Sequence, residues 1–176
     1  MSWYCDVAPG HPFHGPYHDD EYGFPLTGEA ALFERLSLEI FQAGLSWLIV
    51  LKKRPALVAA FDGFDVDAVA AYGDEERARL LADPGIIRNR LKIDAIIKNA
   101  RRVQAMRADG GFAAWIERNH PLPRDGWIKL FRKEFAFMGG EIVGEFLMSI
   151  GYLPGAHRDT CPAFARIAEH KPAWAR

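Results

Sequence analysis

From residue 28 to residue 151 the apolar residues of this chain recur at helical spacing, and no segment alternates convincingly with a period of two. That feature restricts the fold class to all-α, because a sheet needs strands that present one face to a core. Leu32, Phe33, Leu36, Ile40 and Ala43 form one stripe, which Thr27 or Gly28 can start. A second helix runs from Ser46 through Trp47, Val50 and Leu51, and Pro55 is expected to interrupt it or to begin the next turn. Short helices are predicted over 66–71 and 75–81, ahead of a Pro84-Gly85 turn. A long amphipathic helix spans 89–107, with Ile93, Ile96, Ile97, Ala100 and Val103 on one face. A short helix over 112–116, a break at His120-Pro121-Leu122-Pro123 and a helix over 127–133 follow. Residues 135–140 form a turn with two glycines, and Ile142, Val143, Phe146, Leu147 and Ile150 mark a last helix that Gly151 ends.

The first residues are rich in Pro, Gly, His and Asp and are expected to be irregular. The chain of 176 residues, 49% hydrophobic, suits one domain: an irregular arm over 1–27, a helical core over 28–151 and a tail over 152–176. No apolar run reaches the roughly 20 residues of a membrane span. The start, Met1-Ser2-Trp3-Tyr4-Cys5-Asp6, lacks the basic and apolar parts of a secretory signal, so a cytoplasmic location is expected. The net charge of -1 excludes bulk basicity as a sign of a nucleic-acid partner. Local clusters remain: Lys52-Lys53-Arg54, Arg88-x-Arg90-x-Lys92, Arg101-Arg102 and Arg132-Lys133. Each is either a solvated helix face or part of a polyanion-binding surface.

Two cysteines stand near opposite ends of the chain, each with a histidine at useful distance: Cys5 with His18, and His157-x-x-x-Cys161. Two Cys and two His complete a tetrahedral zinc shell with no open position, which makes such a zinc structural. The same cysteines could equally be buried free thiols or a disulfide.

Glu39 is the most informative single residue. It lies seven after Leu32, three after Leu36 and four before Ala43, at the edge of the apolar stripe, whereas Glu34 and Arg35 point away. A carboxylate facing a core needs a partner or a ligand. Either an Arg or Tyr satisfies it, or it reads something that enters from outside. Gln42-Ala43-Gly44-Leu45-Ser46-Trp47 then breaks the helix and presents an indole, and Tyr17 and Tyr22 flank His18. A carboxylate beside aromatic walls suits a flat, cationic, hydrogen-bonding base.

These residues together resemble the DNA-3-methyladenine glycosylase I family of the helix-hairpin-helix superfamily. The matching segments are Tyr17-His18-Asp19-x-Glu21-Tyr22-Gly23-x-Pro25, Gln42-Ala43-Gly44-Leu45-Ser46-Trp47-x-x-Val50-Leu51-Lys52-Lys53-Arg54, Gly85-Ile86-Ile87-Arg88-x-Arg90-x-Lys92-Ile93 and Phe135-x-Phe137-x-Gly139. The resemblance implies a helix-hairpin-helix bundle in which one zinc ion on Cys5, His18, His157 and Cys161 joins the N- and C-terminal segments. It implies hydrolysis of the N-glycosidic bond of 3-methyladenine in double-stranded alkylated DNA by a monomer. Catalytic roles fall to Glu39 and Tyr17, base stacking to Trp47 and Tyr22, and phosphate contact to the hairpin amides around Phe137, Gly139 and Gly140. A non-catalytic zinc-stabilised DNA-binding module is the alternative. The chain departs from the family at Val7 and Tyr22, where other aromatics are common, so the pocket wall is expected to be thinner or rebuilt by Trp3, Phe13 or His14. No aspartate follows the hairpin; Glu141 and Glu145 stand there instead.

Overall fold

The computed structural model describes residues 3–176; Met1 and Ser2, the start of the leader reading, lie outside the described residues. Among the described residues there are eleven α-helices, three short 3-10 turns and no strand. Among the described residues no helix is long and apolar enough to cross a membrane.

Helix α3 (Glu29–Gln42) is the axis of the molecule, buried on nearly every side and packed against α4 (Trp47–Ala60), α7 (Arg90–Met106), α8 (Phe112–Asn119) and α10 (Gly140–Ser149). Arg35 does not point away; it is only 5% exposed. Its guanidinium lies 5.1 Å over the Tyr17 ring and donates to the Ser149 carbonyl and to Glu21. These two acceptors and the ring face offset part of the cost of burying a guanidinium. Glu34 does lie outward, accepting from Arg54 Nε at 2.7 Å.

Pro55 neither interrupts α4 nor starts a new helix: α4 continues through it. The ring removes one backbone donor, and the buried residues on both sides, Val50, Leu51 and Leu57, keep the same helix seated on the core. The short helices appear as α5 (Val66–Ala70) and α6 (Asp74–Ala82). In α7, the Asn89 side chain accepts from Lys92 N at 3.1 Å and starts the helix.

The N-terminal arm is not irregular. It holds α1 (Tyr4–Val7) and α2 (His14–Asp20). His11 Nδ1 accepts from the backbone of Phe13 and His14, both at 3.1 Å, so an imidazole caps α2, and Pro16 falls in its first turn, where no donor is needed. The tail forms α11 (Pro162–Glu169), opened by Pro162.

Helix α9 (Arg124–Glu134), the turn over 135–139 and α10 make a helical hairpin. Phe112 stacks on Phe146, with centroids 5.9 Å apart, and Trp115 meets Phe131 edge-on at 5.3 Å, which fixes the hairpin on the core. Asn99 of α7 binds both sides of Ala136, accepting from its N–H at 2.7 Å and donating to its carbonyl at 3.1 Å. Arg132 donates to the Met138 carbonyl. Phe137 takes a left-handed φ of 62° and stands partly exposed.

Candidate active site and metal centre

The C-terminal end of α3, the start of α4, the arm and the start of α10 enclose a cavity of about 630 Å³. Every pocket residue named from the sequence lines it: Glu39, Tyr17, Tyr22 and Trp47, together with Gly139 and Gly140. Phe137 does not; it stands at the exposed tip of the hairpin. Trp3 and Phe13 do not rebuild the wall either, being largely exposed. Tyr4 does. Its ring meets Tyr22 edge-on at 5.6 Å, and its hydroxyl lies 2.9 Å from His14 Nδ1, so His14 stands behind the wall. Sequence reasoning missed Tyr4 because α1 was not foreseen; a helical turn beginning at Trp3 is what aims this ring inward.

Glu39 is 4% exposed, and among the described residues no donor reaches its carboxylate. Burial, then the nearby Glu145, push its pKa up to about 8, against the opposing pull of Arg35. The Tyr17 hydroxyl and the Trp47 indole N–H are also buried without hydrogen-bond partners. Burial raises the Tyr17 phenol, so it remains a donor. Three residues that line one cavity thus carry unsatisfied polar groups, an arrangement that costs folding free energy unless a ligand or a small side-chain shift completes it. The supports are built in: Tyr17 stacks against Tyr22 at 5.6 Å and meets Trp47 at 5.0 Å.

Lys92, counted in the sequence among the basic clusters, is buried. Its ammonium donates to the carbonyls of Phe41 (2.8 Å) and Ala43 (2.5 Å), closing the frayed end of α3 where Gln42, Ala43 and Gly44 line the cavity. Gly44 has φ 79°, a left-handed turn that aims the chain toward Trp47. Lys53 is likewise structural, donating to the carbonyls of Pro84, Gly85 and Ile86, and Arg54 pairs with Glu21 and Glu34. Arg101 donates to the carbonyls of Ala70 and Tyr72, and Arg102 pairs with Glu134. Arg88, Arg90 and Lys133 stay exposed.

At the cavity rim, α10 starts at Gly140 with no side-chain cap, leaving its first amides open to an anion. A Cβ at Gly139 would meet nothing within 4 Å, so the approach is clear of protein.

Behind the pocket, ligand atoms of Cys5, His18, His157 and Cys161 all lie within 4.8 Å of one another and could hold a metal ion. His157 Nδ1 is 3.7 Å from Cys5 Sγ and 3.6 Å from Cys161 Sγ, and His18 Nε2 is 3.8 Å from Cys161 Sγ. A tetrahedral ion bonded to sulfur at about 2.3 Å and nitrogen at about 2.05 Å requires S···N edges of about 3.6 Å. The other ring nitrogens are occupied. His18 Nδ1 donates to Asp19 (2.7 Å) and His157 Nε2 to the Tyr22 carbonyl (2.6 Å). Those acceptors fix both tautomers with a lone pair facing the cluster. The cysteines are free, which sets aside the disulfide alternative.

The sequence pattern of the methyladenine glycosylase family matches residues 7–125. The chain is 48% identical over 106 residues to DNA-3-methyladenine glycosylase 1 of Escherichia coli, an alignment that spans 60% of this chain and 57% of that protein. It is 35% identical to a DNA-3-methyladenine glycosylase of Haemophilus influenzae, over 92% of this chain and 98% of that one. A crystal structure of 3-methyladenine DNA glycosylase I superposes with a TM-score of 0.80 at 37% identity, covering 90% of this chain and 97% of the other. By pattern, by near full-length likeness and by its all-helical fold, this chain belongs to the methyladenine glycosylase family.

Proposed function

We propose that the chain is a base-excision repair glycosylase that hydrolyses the N-glycosidic bond of 3-methyladenine in alkylated DNA and leaves an abasic site. The observation that carries this is the aromatic cavity with three unsatisfied polar groups, Glu39, the Tyr17 hydroxyl and the Trp47 N–H.

Alkylation at N3 makes the base cationic, so the glycosidic bond is weakened before the protein acts. The nucleotide must leave the duplex, at a cost of a few kcal/mol that is least for a damaged base. Glu39 then accepts from the base edge as a carboxylate, and Tyr17 donates beside it. Trp47 stacks, with Tyr22 behind the stack. The bond from the base nitrogen to C1′ breaks with its electron pair passing to the ring, which neutralises the base. Water adds to C1′ from outside and releases its proton to solvent. Open amides at Gly139 and Gly140 suit a backbone phosphate next to the flipped nucleotide, with the exposed Phe137 tip and Lys133 close to the duplex.

Cys5, His18, His157 and Cys161 would hold zinc. A zinc with four protein ligands supplies no open position; it fixes the arm that carries Tyr4, Tyr17 and Tyr22. On this reading residues 1–176 act as one glycosylase domain, monomeric on double-stranded DNA and cytoplasmic. The test is incubation with methylated duplex DNA and identification of the released base. Release of 3-methyladenine is expected; intact DNA at enzyme excess overturns the reading. Light scattering should give the mass of one chain.

A further inference from the structure

We propose that Glu145 is a specificity-determining residue of the same pocket, a second carboxylate that faces the cavity from α10 and selects purines carrying a formal positive charge. The proposal rests on the glycosylase reading above and goes beyond it.

Glu145 and Glu39 line one cavity from two different helices. Tyr22 donates its hydroxyl to Glu145 Oε2 at 3.1 Å, which fixes the carboxylate against the aromatic wall. That is the only protein donor it has among the described residues. Neither Glu39 nor Glu145 forms an ion pair among the described residues; Arg124 of α9 pairs with the exposed Glu141 at 3.2 Å. The cavity therefore holds two carboxyl groups without a bonded cation. Burial raises both, and Glu39 is raised further by Glu145. Two such groups in a half-enclosed space repel one another when ionised.

The missing partner is a cation, and the walls say which shape. Tyr4, Tyr17, Tyr22 and Trp47 are rings, and the unpartnered Tyr17 hydroxyl and Trp47 N–H seek acceptors. A flat cation with ring nitrogens meets all of these demands: its charge lets both carboxyls ionise, and its faces lie against π-systems. A neutral purine gains the stacking and the hydrogen bonds but leaves Glu145 desolvated and uncompensated. Glu39 can satisfy one edge of any adenine; Glu145 adds the dependence on charge.

The experiment compares two free bases by calorimetry at about pH 8: 3,9-dimethyladeninium, a permanent cation whose 9-methyl stands where the sugar would be, and neutral 3-methyladenine. Glu145→Gln keeps the size and an acceptor for Tyr22. It is expected to weaken the cation about tenfold, the scale of a charge-assisted contact, and to leave the neutral base within about twofold. Glu145→Ala should do the same, which guards against one variant failing to fold. Tyr22→Phe retains the carboxylate and should retain the preference for the cation. Equal weakening of both bases by Glu145→Gln, no weakening of either, or loss of the preference in Tyr22→Phe overturns the proposal. Base release from methylated DNA by the parent protein is scored separately. A parent that releases base while its Glu145 variants keep the preference refutes Glu145 alone; a parent that releases none refutes the glycosylase reading.

Discussion

Replacing Glu39 by glutamine should stabilise the unliganded protein at neutral pH while weakening its hold on a charged base. Glu39 is 4% exposed, and its pKa is raised to about 8 from an ordinary value of 4.5. Below the ordinary value, folded and unfolded chains both carry the proton, and Glu39 exacts no ionisation penalty. As pH rises, the unfolded chain ionises first, so stability is lost progressively until the folded carboxyl also ionises near 8. At about pH 7 the loss is roughly 3 kcal/mol, from 1.36 kcal/mol per unit of difference. Glutamine does not titrate. The stability gap in its favour should therefore widen by about 3 kcal/mol between about pH 5.5 and about pH 8.5, whatever constant offset its amide adds. Urea unfolding of metal-loaded wild type and Glu39→Gln at several pH values reads this, because the titrations other than that of the neighbouring Glu145 are common to both proteins. A gap that does not change with pH refutes the reasoning: Glu39 would then not be the buried, unpaired acid described. A cationic base must ionise Glu39 at a cost of about 1.4 kcal/mol at pH 7, so the fall in its affinity on Glu39→Gln should be near tenfold rather than larger.

Cys161→Ala should lose the bound metal and much of the thermal stability together; metal analysis showing full occupancy in the variant would contradict the four-ligand site. Gly139→Asp has room for its side chain, so it should fold, yet it should weaken binding to any duplex regardless of lesion. A loss confined to damaged DNA, read by fluorescence anisotropy, would place the phosphate elsewhere. Lys92→Met leaves the carbonyls of Phe41 and Ala43 without their donor and should cost about 1–3 kcal/mol in urea unfolding, with weaker base binding because Gln42–Gly44 loosens.

The helical class and the position of Glu39 were legible because apolar periodicity reports which side of a helix meets other apolar groups. The same signal misplaced Arg35. Its burial depends on the Tyr17 ring, the Ser149 carbonyl and Glu21, partners from α2, the end of α10 and the turn after α2 that no single-helix wheel contains. Lys92 was unreadable for a related reason: it looks like a cation on an exposed face until the end of α3 is laid over it. Tyr4 and the two arm helices were hidden in a Pro- and Gly-rich stretch whose order comes from a histidine cap and from a ligand cluster with members some 150 residues away, not from local propensity. Pro55 was weighted by its local penalty, which the packing around α4 overrides.

An ion on the four-ligand cluster would also close the polypeptide into a ring. Cys5 and His157 are 152 positions apart, and nearly the whole chain lies between them. With an ion on its ligands, a cross-link of that span would remove roughly 5 kcal/mol of conformational freedom from the unfolded chain on the loop-entropy estimate used for disulfides. Unlike a disulfide, such a closure would open to a chelator and re-form without any oxidant. The molecule would then be a lasso whose knot lies just behind its binding pocket, joined to it by the Tyr22 carbonyl and by the contact of the Tyr4 ring with His18.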